Sequence, residues 1–95
     1  MPKGYVIANV DVTDPEQYAQ YRPLSTKAME AYGGKVLVRG GQSETLEGNF
    51  HARTIVIEFA DLETARRFYH SAEYEVARQT RAGAAQMNLM IVEGV

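Results

Sequence analysis

The chain has 95 residues, with no cysteine and a net charge of −2 from 10 Lys and Arg against 12 Asp and Glu. That length suits a single domain over residues 1–95. The lack of cysteine excludes disulfides, thiolate nucleophiles and zinc–thiolate centres, and the near-neutral charge gives no electrostatic footing for nucleic acid.

No apolar run approaches the ~20 residues of a membrane span. Pro2-Lys3-Gly4 leads into a strand-like run rather than a signal peptide. A cytoplasmic protein with no membrane contact is expected.

Tyr5 to Val12 reads as the first strand, with Val6, Ala8 and Val10 on one face and Tyr5, Ile7 and Asn9 on the other. A helix start follows in Thr13-Asp14-Pro15-Glu16-Gln17, where Asp14 caps and Pro15 suits the first turn. Tyr18, Tyr21, Ala28 and Tyr32, with Ser25 between, form the buried stripe of this helix. Pro23 falls inside the stripe and predicts a kink or break near Tyr21-Arg22. Gly33-Gly34 closes the helix, and Lys35 to Arg39 makes a short strand. Gly40-Gly41 can bend or bulge that strand. Gln42 to Gly48 can continue it as an irregular edge before a turn at Glu47-Gly48-Asn49.

Arg53 to Ala60 is the third strand, with Ile55, Ile57 and Phe59 on one face. Asp61 caps a second helix with the stripe Leu62, Ala65, Phe68, Tyr69 and Ala72. Ser71 is placed to cap a restart that Gly83 ends, and Gln86 to Glu93 is the last strand. The order β-α-β-β-α-β is an α+β, ferredoxin-like signature. It predicts a four-stranded antiparallel sheet, two helices on one face, and strands one and three in the centre.

Two helices cover one face of such a sheet, and an open face should alternate with polar residues. Val6, Ala8, Val10, Val36, Val38, Ile55, Ile57, Phe59, Leu89 and Ile91 suit the covered face. The other still carries Tyr5, Ile7, Leu37, Val56, Met90 and Val92. That much apolar surface predicts a homodimer, sheet against sheet.

Several stretches carry a family resemblance. They are Val12-Thr13-Asp14-Pro15-Glu16 with Tyr18 and Tyr21, the run from Gly33 to Gly41, Leu46-Glu47-Gly48, Ile57-Glu58-Phe59, Phe68-Tyr69 with Ser71-Ala72-Glu73-Tyr74, and Val92-Glu93-Gly94. Together they resemble the domain-of-unknown-function family DUF1330. The chain departs from it at Ala72, where the family usually has proline. The resemblance implies the dimeric α/β-barrel group, which includes cofactor-free monooxygenases, small isomerases and haem-degrading enzymes. It implies no established activity; with no cysteine, metal set or phosphate loop in the chain, no cofactor is expected. Some haem-degrading relatives combine a first-strand asparagine with a tryptophan and a histidine. This chain has Asn9 and His70 without a tryptophan, so the match is partial.

Candidate chemistry centres on a few side chains. Strand parity puts Arg39 and Glu58 on the face away from the helices, on neighbouring strands, where they could pair. They either act on an anionic substrate or fix sheet and dimer geometry, and the structural role is the stronger expectation. Tyr21, Tyr69 and Tyr74 stand beside the two expected helix breaks and are candidates for the wall of a small-molecule pocket, with Asn9 or Arg39 at its rim. His70 is the candidate general base, and Arg39 and Glu58 complete the catalytic candidates. His51 and His70 lack carboxylates at ligand spacing, so no metal site is expected. No serine has a placeable histidine–acid partner, and the glycine pairs make no phosphate loop. Two readings stand: a cofactor-independent enzyme, monooxygenase- or isomerase-like, acting on a small organic molecule, and a non-catalytic dimeric module that binds a ligand or partner.

Overall fold

The computed structural model describes residues 2–95. The elements run β1 (Gly4–Val12), α1 (Pro15–Ala31), β2 (Lys35–Arg39), β3 (Arg53–Phe59), α2 (Leu62–Tyr69), α3 (Ala72–Arg81) and β4 (Ala85–Glu93). The strands form one antiparallel sheet in the order β2-β3-β1-β4, so the first and third strands are central, as expected. The helices are three rather than two, because the break at Ser71 is complete. Among the described residues no helix is long and apolar enough to cross a membrane.

Local chemistry explains the boundaries. Asp14, Asp61 and Ser71 cap the three helices, each accepting a hydrogen bond from the backbone N–H three residues on. The Ser71 hydroxyl also donates to the Phe68 carbonyl at 2.7 Å, so one side chain ends α2 and starts α3. At the end of α1, the Gly33 amide donates to the Glu30 carbonyl and the Gly34 amide to the Met29 carbonyl, a Schellman closure with Gly33 at φ +71°.

Of the kink or break expected at Pro23, the break is absent. The helix runs through Pro23, from Pro15 to Ala31. Pro23 and Ala19, one turn back, are both exposed, so the carbonyl that loses its donor faces water. The segment from Gln42 to Gly48 is not strand either. Its far end is tied to the sheet by Asn9, whose side chain accepts from the His51 amide at 2.7 Å and donates to the His51 carbonyl at 3.0 Å.

The core lies between the helices and one sheet face. Val6, Ala8, Val10, Ile57 and Phe59 from the strands meet Tyr18, Tyr21, Ala28, Met29, Ala65, Phe68, Tyr74 and Ala77 from the helices. The β2–β3 register corrects the expected strand faces. Val36 lies opposite Ile57, but Val38 lies opposite Val56 and Arg39 opposite Ile55, with a bulge between Val36 and Val38. Parity therefore inverts along β2: Val38 faces away from the helices, 41% exposed, and Arg39 shares the helix-side face with Ile55. The uncovered face then carries an apolar row across all four strands: Val38, Val56, Ile7 and Met90.

Gly4 fixes how β1 meets the start of α2. A Cβ there would overlap the Asp61 carbonyl and come within 2.6 Å of the Leu62 Cα, both backbone atoms. Gly4→Ala is expected to cost about 1–3 kcal/mol, as overpacking a rigid contact does. Gly41→Ala, with no atom within 4 Å of its added carbon, should change stability by less than about 0.5 kcal/mol. Urea denaturation of the two variants provides the comparison.

Candidate functional site

A cavity of about 140 Å³ lies between α1 and the sheet. Its floor is built from side-chain rows across the strands. Val36, Ile57 and Val6 form one row, and Arg39, Ile55, Ala8 and Leu89 the next. A third runs from Arg53 past Val10 to Met87. The roof is one face of α1, with Tyr18, Tyr21, Arg22, Ser25, Thr26 and Met29 at helical spacing. Phe68 and Tyr74 close the inner end. At the centre of the floor, between Ile55 and Leu89, stands Ala8 with a single methyl group. An apolar cavity of ~150 Å³ takes a benzene ring, so this one suits a small organic molecule.

The polar groups are unevenly distributed. At the buried end the hydroxyls of Tyr21 and Tyr74 are 2.8 Å apart, sharing a hydrogen bond. Burial, reinforced by the neighbouring Tyr21 phenol, pushes the Tyr74 hydroxyl far above the ordinary phenol range. Burial also raises Tyr18, and the charges of Arg53, Arg22 and Arg81 only partly oppose it. Both phenols are therefore neutral hydrogen-bonding groups, not bases. Arg22 stands with its guanidinium carbon 5.7 Å from the Tyr18 ring centre, and Arg81 stands 5.5 Å from the Tyr21 ring centre. Arg22 and Arg39 are exposed and mark the cavity's outer rim, while Arg53 is half-buried. Among the described residues, no Asp, Glu or His lines the cavity.

The family model for "Domain of unknown function (DUF1330)" matches residues 3–95. The chain belongs to the DUF1330 family. No curated protein matches it. Among solved structures, this DUF1330 chain is similar to a protein of unknown function from Rhodopseudomonas palustris, at 19% identity and a TM-score of 0.76, over 99% of this chain and 83% of the other. It is also similar to SnoaB, a cofactor-independent oxygenase from Streptomyces nogalater, at 8% identity and a TM-score of 0.68, over 97% and 92%. A dimeric ferredoxin-like protein of unknown function from Thermobifida fusca aligns at 14% identity and a TM-score of 0.61, over 97% and 91%. At these identities the likeness is one of fold.

The cavity of the DUF1330 chain gathers three of the residues singled out in the sequence, Tyr21, Tyr74 and Arg39. It does not gather the others. The expected Arg39–Glu58 pair is not formed, because the β2 bulge turns Arg39 to the helix side while Glu58 stays on the opposite face, accepting from the Tyr5 hydroxyl at 3.4 Å. Asn9 lies on that opposite face too, in the row with Thr54 and Asn88. Tyr69 is half-buried outside the cavity, with the Arg78 guanidinium carbon 4.8 Å from its ring centre. His70 is exposed at the C-terminal cap of α2. The sequence reading missed Tyr18, Arg22 and Arg53. Arg53 had a signal, since it precedes Ile55, Ile57 and Phe59 at strand spacing and so shares their face.

The raised phenols give a pH dependence with a definite sign. Tyr74 and Tyr18 hold their protons more tightly in the folded chain than in the unfolded one. Their contribution to stability is complete below the unfolded phenol value of about 10. It is lost as pH rises above that, because the unfolded chain then releases those protons first. The urea midpoint should fall between about pH 9 and pH 11, and Tyr74→Phe should flatten that fall. An equally steep fall in the variant would show that Tyr74 does not hold its proton in the fold.

Proposed function

We propose that this protein is a homodimer, joined through the uncovered sheet face, that binds a small organic molecule in the cavity between α1 and the sheet. The observation that carries the ligand reading is the cavity itself. A chain of this size that needed only a packed core would close the space at Ala8 with a larger side chain. Instead the wall combines aliphatic and aromatic surface with a few polar groups at fixed positions, the usual composition of a ligand site. The dimer reading rests on the apolar row Val38, Val56, Ile7 and Met90, with Met90 54% exposed. The description of the Thermobifida fusca neighbour as dimeric supports it.

A second reading makes the same site a cofactor-independent enzyme, monooxygenase- or isomerase-like. The buried Tyr21–Tyr74 hydroxyl pair favours it, as a donor placed against bound substrate. The fold likeness to SnoaB supports it. Against a proton-abstracting mechanism stands the wall itself, which lacks histidine and carboxylate among the described residues. Binding is therefore the primary reading, and any reaction would begin from a substrate that arrives already ionised.

Two measurements test this. Sedimentation at micromolar protein should give twice the chain mass; Val56→Asp should split the dimer and Glu16→Lys should not. Thermal-shift screening of small aromatic and branched compounds should find stabilising ligands. Ser25→Trp, which fills the cavity from its roof, should abolish their effect while the chain still folds by circular dichroism. A bound compound that is also turned over in air, with turnover but not binding lost in Tyr74→Phe, selects the enzyme. Ligands that stabilise Ser25→Trp equally would remove the cavity as the site.

A further inference from the structure

We infer that the ligand of this cavity is a small organic carboxylate, its apolar body between α1 and the sheet and its carboxylate at the rim, held by Arg53 and Arg39 with Arg22 alongside. The inference rests on the cavity reading above and adds the ligand's charge to it.

The charge balance of the wall comes first. Arg22, Arg39 and Arg53 all line the cavity, and no acidic residue does so among the described residues. The ion pairs among the described residues are elsewhere, between Glu63 and Arg66 or Arg67 on α2. Guanidiniums gathered around one space repel each other and gain from an anion between them.

Arg53 supplies the second observation. Its Nε is buried and has no protein hydrogen-bond partner; those of Arg78 and Arg81 share this, but of the three only Arg53 lines the cavity. A buried donor without an acceptor is costly, above all on a charged group. An acceptor delivered by a ligand relieves that cost.

The backbone is shaped around this side chain. Gly40 sits at φ +60°, and a Cβ on it would come within 2.8 Å of the Arg53 guanidinium carbon. Only glycine both takes that conformation and leaves Arg53 room to lie along the end of β2. The Gly40 amide donates to the Thr54 carbonyl at 2.8 Å, which holds the strand end in place. The bulge one turn of pleat earlier then sets Arg39 on the same face as Arg53. Two independent backbone devices thus bring two arginines to one rim.

The rest of the wall sets the ligand's shape. Beyond the rim the surface is Ile55, Ile57, Met29, Val6 and aromatic rings, with room for about one ring or a short branched chain. The planar guanidinium fork matches a carboxylate in two parallel hydrogen bonds. The raised Tyr18 phenol beside these arginines keeps its proton and adds a donor rather than a competing negative charge.

The test compares benzoate with its neutral isostere benzamide, and pentanoate with pentanamide, by titration calorimetry and amide chemical shifts on the full chain. Each carboxylate should bind about tenfold more tightly than its amide, the gain of a charge-assisted hydrogen bond. That preference should shrink with added salt. In Arg53→Gln it should collapse to near unity while the melting temperature is held or raised, and Arg53→Lys should restore part of it. Arg39→Gln, at an exposed position, repeats the test without touching the core. Equal binding of carboxylate and amide by the wild-type chain would overturn this inference and leave the cavity reading standing. An unchanged preference in both Arg53→Gln and Arg39→Gln would overturn it likewise, and so would tighter binding of phenyl phosphate than of benzoate. Failure of every probe, charged and neutral, would overturn the cavity reading and this inference with it.

Discussion

The bulge in β2 is the constraint on which both faces of the sheet depend. One extra residue between Val36 and Val38 leaves β2 too long for strict pairing with β3, so the strand changes parity halfway along. Before the bulge, Val36 completes the core row with Ile57, Val6 and Ile91. After it, Val38 completes the apolar row on the uncovered face, and Arg39 turns in beside Ile55. A regular β2 would reverse both outcomes. Val38 would lie opposite Ile55 under α1, where the cavity is, Leu37 would take the place opposite Val56, and Arg39 would stand opposite Thr54 on the uncovered face. The place of Arg39 at the cavity rim therefore rests on one backbone irregularity, on a short edge strand where the ladder tolerates it best.

Much of the architecture was legible in the sequence because it is written in local chemistry. The capping side chains Asp14, Asp61 and Ser71 and the Gly33-Gly34 stop act within one turn of where they stand, and every helix boundary except the end of α3 follows from them. The alternation in β1 and β3 fixed their inward faces for the same reason. What was not legible depends on partners far along the chain. Nothing in Lys35 to Arg39 marks the bulge. It shows only in the register with β3, which also sets Glu58 opposite Lys35 at the other end of β2, so the pairing of Arg39 with Glu58 read from simple parity does not form. The break that Pro23 allowed is absent for a related reason: whether a proline interrupts a helix depends on which way the freed carbonyl faces, and here it faces water.

The candidate site shows the same division. Tyr21 and Tyr74 were visible as aromatic residues beside the two expected helix breaks, and the structure joins their hydroxyls across two helices distant in sequence. Tyr69, one residue before the α2 cap, looked equivalent. It falls outside because the Ser71 turn re-aims the chain between it and Tyr74, so that Phe68 and Tyr74, with ring centres 4.6 Å apart, take the inner positions. Helical spacing gives the stripe a residue belongs to. It does not give the direction of the next helix, and that direction decided which tyrosine reaches the cavity.

The same arrangement limits the chemistry the cavity supports. Its wall offers the Tyr18 and Tyr74 phenols, which burial keeps protonated, and its outer end offers guanidiniums that are always charged. Both kinds of group donate hydrogen bonds, and none is placed to take a proton. A wall of donors around an apolar space stabilises negative charge on whatever it holds, in a bound anion or in one that forms during reaction. Binding and catalysis therefore place the same demand on this site, and they differ in where the charge comes from. A carboxylate brings its charge into the cavity at neutral pH and needs nothing further from the protein. An enolate must be made, and with no base in the wall it must come from a compound acidic enough to ionise before it enters.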